Sequence, residues 1–146
     1  HLVPTDDGHW EEKDAPKTYP SNKITVLRFD NLSFYAEVPL LDGLLPNKEG
    51  VKNAVVILTL RYMETLPSTT LKWLARYNLE LRQSGNLLLL AGVGSHVFEL
   101  LTHTDIIDAI GKENIFRARR VITASIDEAV TRAQDWLEQN SGDHTT

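Results

Sequence analysis

The chain has no cysteine. That excludes disulfides, thiolate zinc sites and cysteine nucleophiles, and it is compatible with a reducing cytosol. No apolar run approaches the roughly 20 residues that a helix needs to cross a bilayer. The first residues, HLVPTDDGHWEEKD, are polar and acidic, so no signal peptide is expected. Positive charge is in deficit: 15 Lys and Arg face 20 Asp and Glu, giving a net charge of −5. A modestly acidic surface argues against non-specific binding to nucleic acid or anionic lipid. The sequence also lacks GxSxG, GxGxxG, a Walker A phrase and paired histidines at helical i, i+4 spacing. The chain starts at His1 without a methionine, so a processed product or an excised piece of a longer protein is expected, and an excised domain is compatible with a membrane-bound parent.

What remains is an ordinary globular composition over 146 residues, 42% hydrophobic and 24% charged, enough for one domain with one core. Residues 1–21 hold Pro4, Pro16 and Pro20 among acidic side chains and read as an extended leader, pinned by Trp10 and Tyr19. The domain is expected over 22–140 and a flexible tail over 141–146. Ile24, Val26, Leu27 and Phe29 predict a strand; Leu32, Phe34 and Ala36 predict a second, joined by an Asp30-Asn31 turn. A short helix is expected over 39–45.

The runs AVVILTL (54–60) and LLLLAGV (87–93) are continuously apolar, as strands covered on both faces are. Between them a helix over 67–83 carries an apolar stripe of Leu71, Leu74, Ala75 and Leu81, and Gly85 is placed to end it. Strand, helix and strand at this spacing form a βαβ unit. Further helices are expected after Val93, capped by Ser95, and after Thr104. A last strand is expected over 116–122. The closing helix opens on the capping box Ser125-Ile126-Asp127-Glu128. The fold class is therefore α/β: a mixed sheet with an N-terminal hairpin and parallel strands, flanked by about four to five helices.

Chemistry is sparse. His96 and His103 stand at the two ends of one predicted helix, and no metal site is expected. Asp105 and Asp108, and the cluster Glu11, Glu12 and Asp14, read as solvated surface, because none sits in an apolar setting that would raise its pKa. Arg117, Arg119 and Arg120 can meet an acidic partner or phosphate, although charged protection of an edge strand is the simpler account. Two helix starts remain. Ser68, Thr69 and Thr70 can cap a helix or accept a phosphate. Gly92, Gly94 and Ser95 form a strand-to-helix turn of the kind that can bind an anion, with a tight structural turn as the plainer reading.

The order of elements and four phrases resemble a STAS domain, the family of bacterial anti-sigma-factor antagonists and of the cytosolic C-terminal domains of SulP anion transporters. The phrases are ITVLRFDNLSFYAEV, AVVILTL, LPSTTLKWLARYNLELRQSGNLLLLAGV and DIIDAIGKENIF…SIDEAV, and they span about 22–138. RFDNLSFYAEV resembles the transporter branch, and the general likeness runs toward cyanobacterial bicarbonate transporters. This implies a non-enzymatic domain, without cofactor, on the cytoplasmic face of the plasma or inner membrane as part of an integral membrane protein. Its partners would be a second copy in a homodimer, the transmembrane part of its own chain and a regulatory protein, with no nucleic acid. Trp73, Tyr77, Phe34 and Tyr35 are candidate contacts, with core burial the competing fate.

The alternative is a free-standing phospho-switch that binds a kinase partner. Matching the family's turn puts Pro67 where an acid is usual and Thr70 where glycine is usual, so Thr69 aligns with the hydroxyl that antagonists phosphorylate. With those departures, Ser68 and Thr69 are expected to cap and shape the helix start.

Overall fold

A computed structural model describes residues 1–4, 10–28, 45–61, 63–121 and 123–142. Its six strands are β1 (Leu2–Pro4), β2 (Trp10–Glu12), β3 (Ile24–Arg28), β4 (Val55–Thr59), β5 (Leu87–Val93) and β6 (Ile115–Arg117). They lie in one sheet in the order β2-β1-β3-β4-β5-β6. β3 to β6 run parallel, and β1 is antiparallel to both its neighbours, β2 and β3. The helices are α1 (Ser68–Gln83), α2 (Ser95–His103), α3 (Ile106–Ile110) and α4 (Ala124–Gly142), with a 3-10 turn at Lys112–Asn114. The α/β class and mixed sheet expected from the sequence are present.

β4 and β5 are buried along their whole length, which is why their sequences do not alternate. Side chains still alternate in space. Val56, Leu58, Leu88 and Leu90 pack with Leu71, Leu74, Tyr77, Leu81, Val97, Leu101 and Ile110, under α1, α2 and α3. Val55, Ile57, Leu87, Leu89 and Ala91 pack on the other face with Ile126, Ala129 and Ala133 of α4. Ala129 and Ala133 have no exposed surface, so α4 sits close on the sheet.

Helix α1 ends where Gly85 predicts. Gly85 has φ +83°. Its amide donates to the Arg82 carbonyl and the Asn86 amide to the Leu81 carbonyl, the two bonds of a Schellman motif. The Asn86 side chain then accepts from the Ala54 amide and donates to the Val51 carbonyl, tying the entry of β5 to that of β4.

Several sequence expectations change. Residues read as leader form β1 and β2, an antiparallel pair extending one edge of the sheet. The predicted partner strand (Leu32, Phe34, Ala36), the Asp30-Asn31 turn, Phe29, Tyr35 and the helix over 39–45 lie outside the described residues, Leu45 excepted. β6 stops at Arg117, because its partner β5 ends at Val93, opposite Arg117, and offers no further ladder. α4 continues to Gly142, into the predicted tail. Trp73 and Tyr77 are core residues, stacked with ring centroids 5.0 Å apart, and so are not surface contacts.

The leader is held by a buried contact. The hydroxyls of Tyr19 and Tyr77 lie 2.6 Å apart. The Tyr19 amide donates to the Asn47 carbonyl, and the Asn47 amide to the Lys17 carbonyl. Burial, followed by the neighbouring Tyr77 hydroxyl, pushes the Tyr19 phenol far above its ordinary pKa near 10. The folded state thus holds this proton more tightly than the unfolded chain. The associated stability is complete below pH 10 and falls as pH rises beyond it, by up to about 1.4 kcal/mol per pH unit. Urea midpoints should therefore drop between pH 10 and 11 in the native chain and drop less in Tyr19→Phe; equal slopes would contradict the assignment.

Candidate functional site

The parallel strands end on one side of the sheet, and in open α/β sheets that carboxyl edge is where ligands gather. Both candidate helix starts lie there: Ser68–Thr70 after β4, and Gly92–Ser95 at the end of β5.

The first helix start is built differently from expectation. The cap position of α1 falls on Pro67, in extended backbone, with no side-chain cap. Pro67 supplies its carbonyl to the Leu71 amide. Ser68, Thr69 and Thr70 are the first three helical residues. Ser68 and Thr69 are exposed, while Thr70 is buried beside Leu66 and Trp73, around a gap of about 10 Å³. Capping therefore passes to Pro67, because its fixed φ and extended ψ place it just outside the helix. Close by, the Thr65 hydroxyl lies 3.2 Å from Nε2 of His96, joining the β4–α1 loop to α2.

The second helix start is more constrained. Gly92 lies within β5 and has φ +64°. A Cβ there would stand 2.9 Å from Cβ of Arg61 and 3.1 Å from its backbone nitrogen. Gly94 holds the cap position of α2 in extended backbone, without a side-chain cap. Ser95 is the first helical residue, and its hydroxyl accepts from the Arg117 guanidinium at 3.1 Å. Ser95 therefore does not cap the helix. Thr104 likewise caps nothing ahead of it: its hydroxyl donates back to the Leu100 carbonyl at 2.6 Å. α4 starts at Ala124, one residue before the predicted capping box, and Ser125 turns inward with its hydroxyl unpartnered among the described residues.

Arginines surround this corner. Arg61, two residues beyond β4, packs on Gly92 and donates to the Arg119 carbonyl at 2.9 Å. The Arg117 guanidinium lies over the Phe98 ring, 4.4 Å from its centroid. Arg119 makes a forked pair with Glu128, at 2.9 and 3.2 Å. Of these, Arg61 was not flagged by the sequence. Its role follows from the backbone of Gly92, and the only advance signal was a glycine inside an otherwise apolar strand.

The remaining candidates do not converge. Asp105 starts α3 with φ +60°, and Asp108 lies in its first turn. His103 ends α2. Among the described residues no three of His, Asp and Glu are grouped as metal ligands, and no helix is long and apolar enough to cross a membrane. A cavity of about 380 Å³ opens on the opposite side, between the leader, β3 and α4, walled by Leu2, Trp10, Pro20, Val26 and Val130.

Compared with known proteins, this fold has a match among solved structures: a sulfate transporter family protein from Wolinella succinogenes. The two superpose with a TM-score of 0.63 over 88% of this chain and 99% of that one, at 23% identity. The two chains share one fold. No family model and no curated protein sequence matches the chain.

Proposed function

We propose that this chain is the STAS-like domain of a SulP-type membrane anion transporter, placed on the cytoplasmic face of the plasma or inner membrane, where it assembles two protomers and regulates transport. The observation that carries this is the fold shared with a sulfate transporter family protein over 99% of that protein's chain. The phrase RFDNLSFYAEV, with its likeness to the transporter branch, points the same way. The anion is bicarbonate, as in transporters of the BicA type, or sulfate. The domain does no chemistry of its own; its described surface presents helix starts, an arginine corner and an edge strand, which suit contact with protein or with an ion. Closed two-fold pairing is the commonest assembly for such a domain.

The test is uptake of labelled bicarbonate and sulfate by transport-deficient cells carrying the whole gene, with and without residues 22–140. The whole protein should take up one of the two, and deletion should lower that uptake several-fold. Uptake of neither by a protein that reaches the membrane would end the reading.

A further inference from the structure

The junction between β1 and β3 is the thinnest in the sheet. β1 meets β3 at one position, Leu2 opposite Val26, whereas β3 with β4, and β4 with β5, pair along five residues each. The packing beneath is thin as well. Leu2 and Trp10 are only partly buried against the core, and the cavity of about 380 Å³ lies between them, β3 and Val130 of α4. Close-packed interiors leave few gaps of that size, so little dispersion energy holds this pair of strands down. β6, at the opposite edge, is equally short but better tied. Asn114 beside it is buried, donates to the Ile110 carbonyl and accepts from Arg132 of α4.

The connection to the domain has a loose stretch and a fixed point. Within the pair, the Lys13 amide donates to the His1 carbonyl and extends the ladder by one residue. Lys13, Asp14, Ala15 and Lys17 are exposed, and Pro16 has no amide to donate. At Lys17 the chain is caught. Its carbonyl accepts from the Asn47 amide, Thr18 forms a parallel bridge with Asn47, and the Tyr19 hydroxyl meets that of Tyr77. Displacing the residues before Asp14 would leave this buried anchor intact.

We infer that β1 and β2 form a strap that opens as one unit about residues 14–17 while the rest of the domain stays folded. Local openings are drawn from parts of a protein with few buried contacts. The two states differ in what they present at this edge. Closed, the outermost strand is Trp10-Glu11-Glu12, short and carrying two carboxylates, which discourages edge-to-edge pairing. Open, the edge is β3, which loses its outer partner and stands beside the apolar gap lined by Val26 and Val130. An edge of that kind accepts an added strand. The strap thus decides whether the sheet can be extended. This goes beyond the transporter reading and does not depend on it.

The experiment is native-state hydrogen exchange on the 146-residue chain. The bonded amides of β1 and β2 should share one opening, with protection about a hundredfold or more below that of β4 and β5. Low urea should hardly change them, because opening the strap exposes little surface. A covalent lock supplies the second arm. The chain has no cysteine, so Leu2→Cys with Val26→Cys places one thiol pair across the junction. Opposite residues of an antiparallel pair lie about 4.5–5.5 Å apart, within disulfide reach. Oxidation should bring both strands to within about tenfold of β4 and β5, with β2 following although the lock is in β1, and reduction should restore the gap. Amide spectra that keep their dispersion show that the double variant is folded, and exchange of the native chain stands without it. Protection in β1 and β2 already equal to that of β4 and β5 would overturn the strap. So would a gap that oxidation leaves unchanged, or a β2 that still opens once β1 is locked.

Discussion

Leu90→Ala should destabilise the chain by about 3–5 kcal/mol, the largest effect foreseen for a single substitution. Leu90 is fully buried in β5, paired with Leu58 on one side and Ile115 on the other, beneath α1 and α2. Truncation removes apolar burial and leaves a cavity between two layers that cannot both collapse into it. For a domain whose total stability is about 5–15 kcal/mol, this is a large share, and the urea midpoint should fall by roughly 2 M. The control is Leu79→Ala. Leu79 lies on α1 but is 55% exposed, so its loss should cost no more than about 0.5 kcal/mol. Comparable losses at the two positions would mean that the sheet is not covered on the α1 face as described.

Gly92→Ala should cost about 3 kcal/mol, from two sources that can be separated. A residue with a Cβ pays roughly 1–2 kcal/mol in the left-handed region. The new methyl would also stand 2.9 Å from Cβ of Arg61 and 3.1 Å from its backbone nitrogen, so the β4–α1 loop must shift. Gly85→Ala has the first cost without the second, since φ is +83° there and no atom lies within 4 Å. It should lower the melting temperature by only a few degrees, and Gly92→Ala by about 10 °C. Equal shifts would show that the close approach of Arg61 to β5 carries no weight. The need for glycine at 92 is thus both conformational and steric.

The parts of this fold that were legible in the sequence are those set by burial. The runs 54–60 and 87–93 gave β4 and β5 because a strand covered on both faces has no reason to carry polar residues. Gly85 marked the end of α1 because a helix there needs one left-handed residue. The phrase Ser125-Ile126-Asp127-Glu128 marked the start of α4 to within one residue. The parts that were missed depend on partners far away in sequence. β1 and β2 are three residues each, too short to announce themselves, and exist as strands through their pairing with each other and with Val26. The caps moved because Ser and Thr preferences are local, whereas a helix begins where the preceding strand or loop releases the chain. Hence Ser95 met Arg117, Thr104 turned back on α2, and Ser125 was buried.

The candidate site divides the same way. Gly92, Gly94 and Ser95 could be picked out as a strand-to-helix turn, since glycine before a helix is a local signal. Ser68 and Thr69 were expected to cap the start of α1, and the cap position falls on Pro67 instead. Arg61 could not be singled out, because one arginine after an apolar run reads as ordinary surface until the left-handed backbone of Gly92 brings it across.

The claim on which the functional account depends is that this domain belongs to a protein embedded in a membrane. Antibody raised against the 146-residue chain, used on fractions of the native cell washed at alkaline pH, tests it most directly. The account predicts one band, much larger than this chain, retained in the membrane pellet. A soluble band no longer than the chain itself would contradict it.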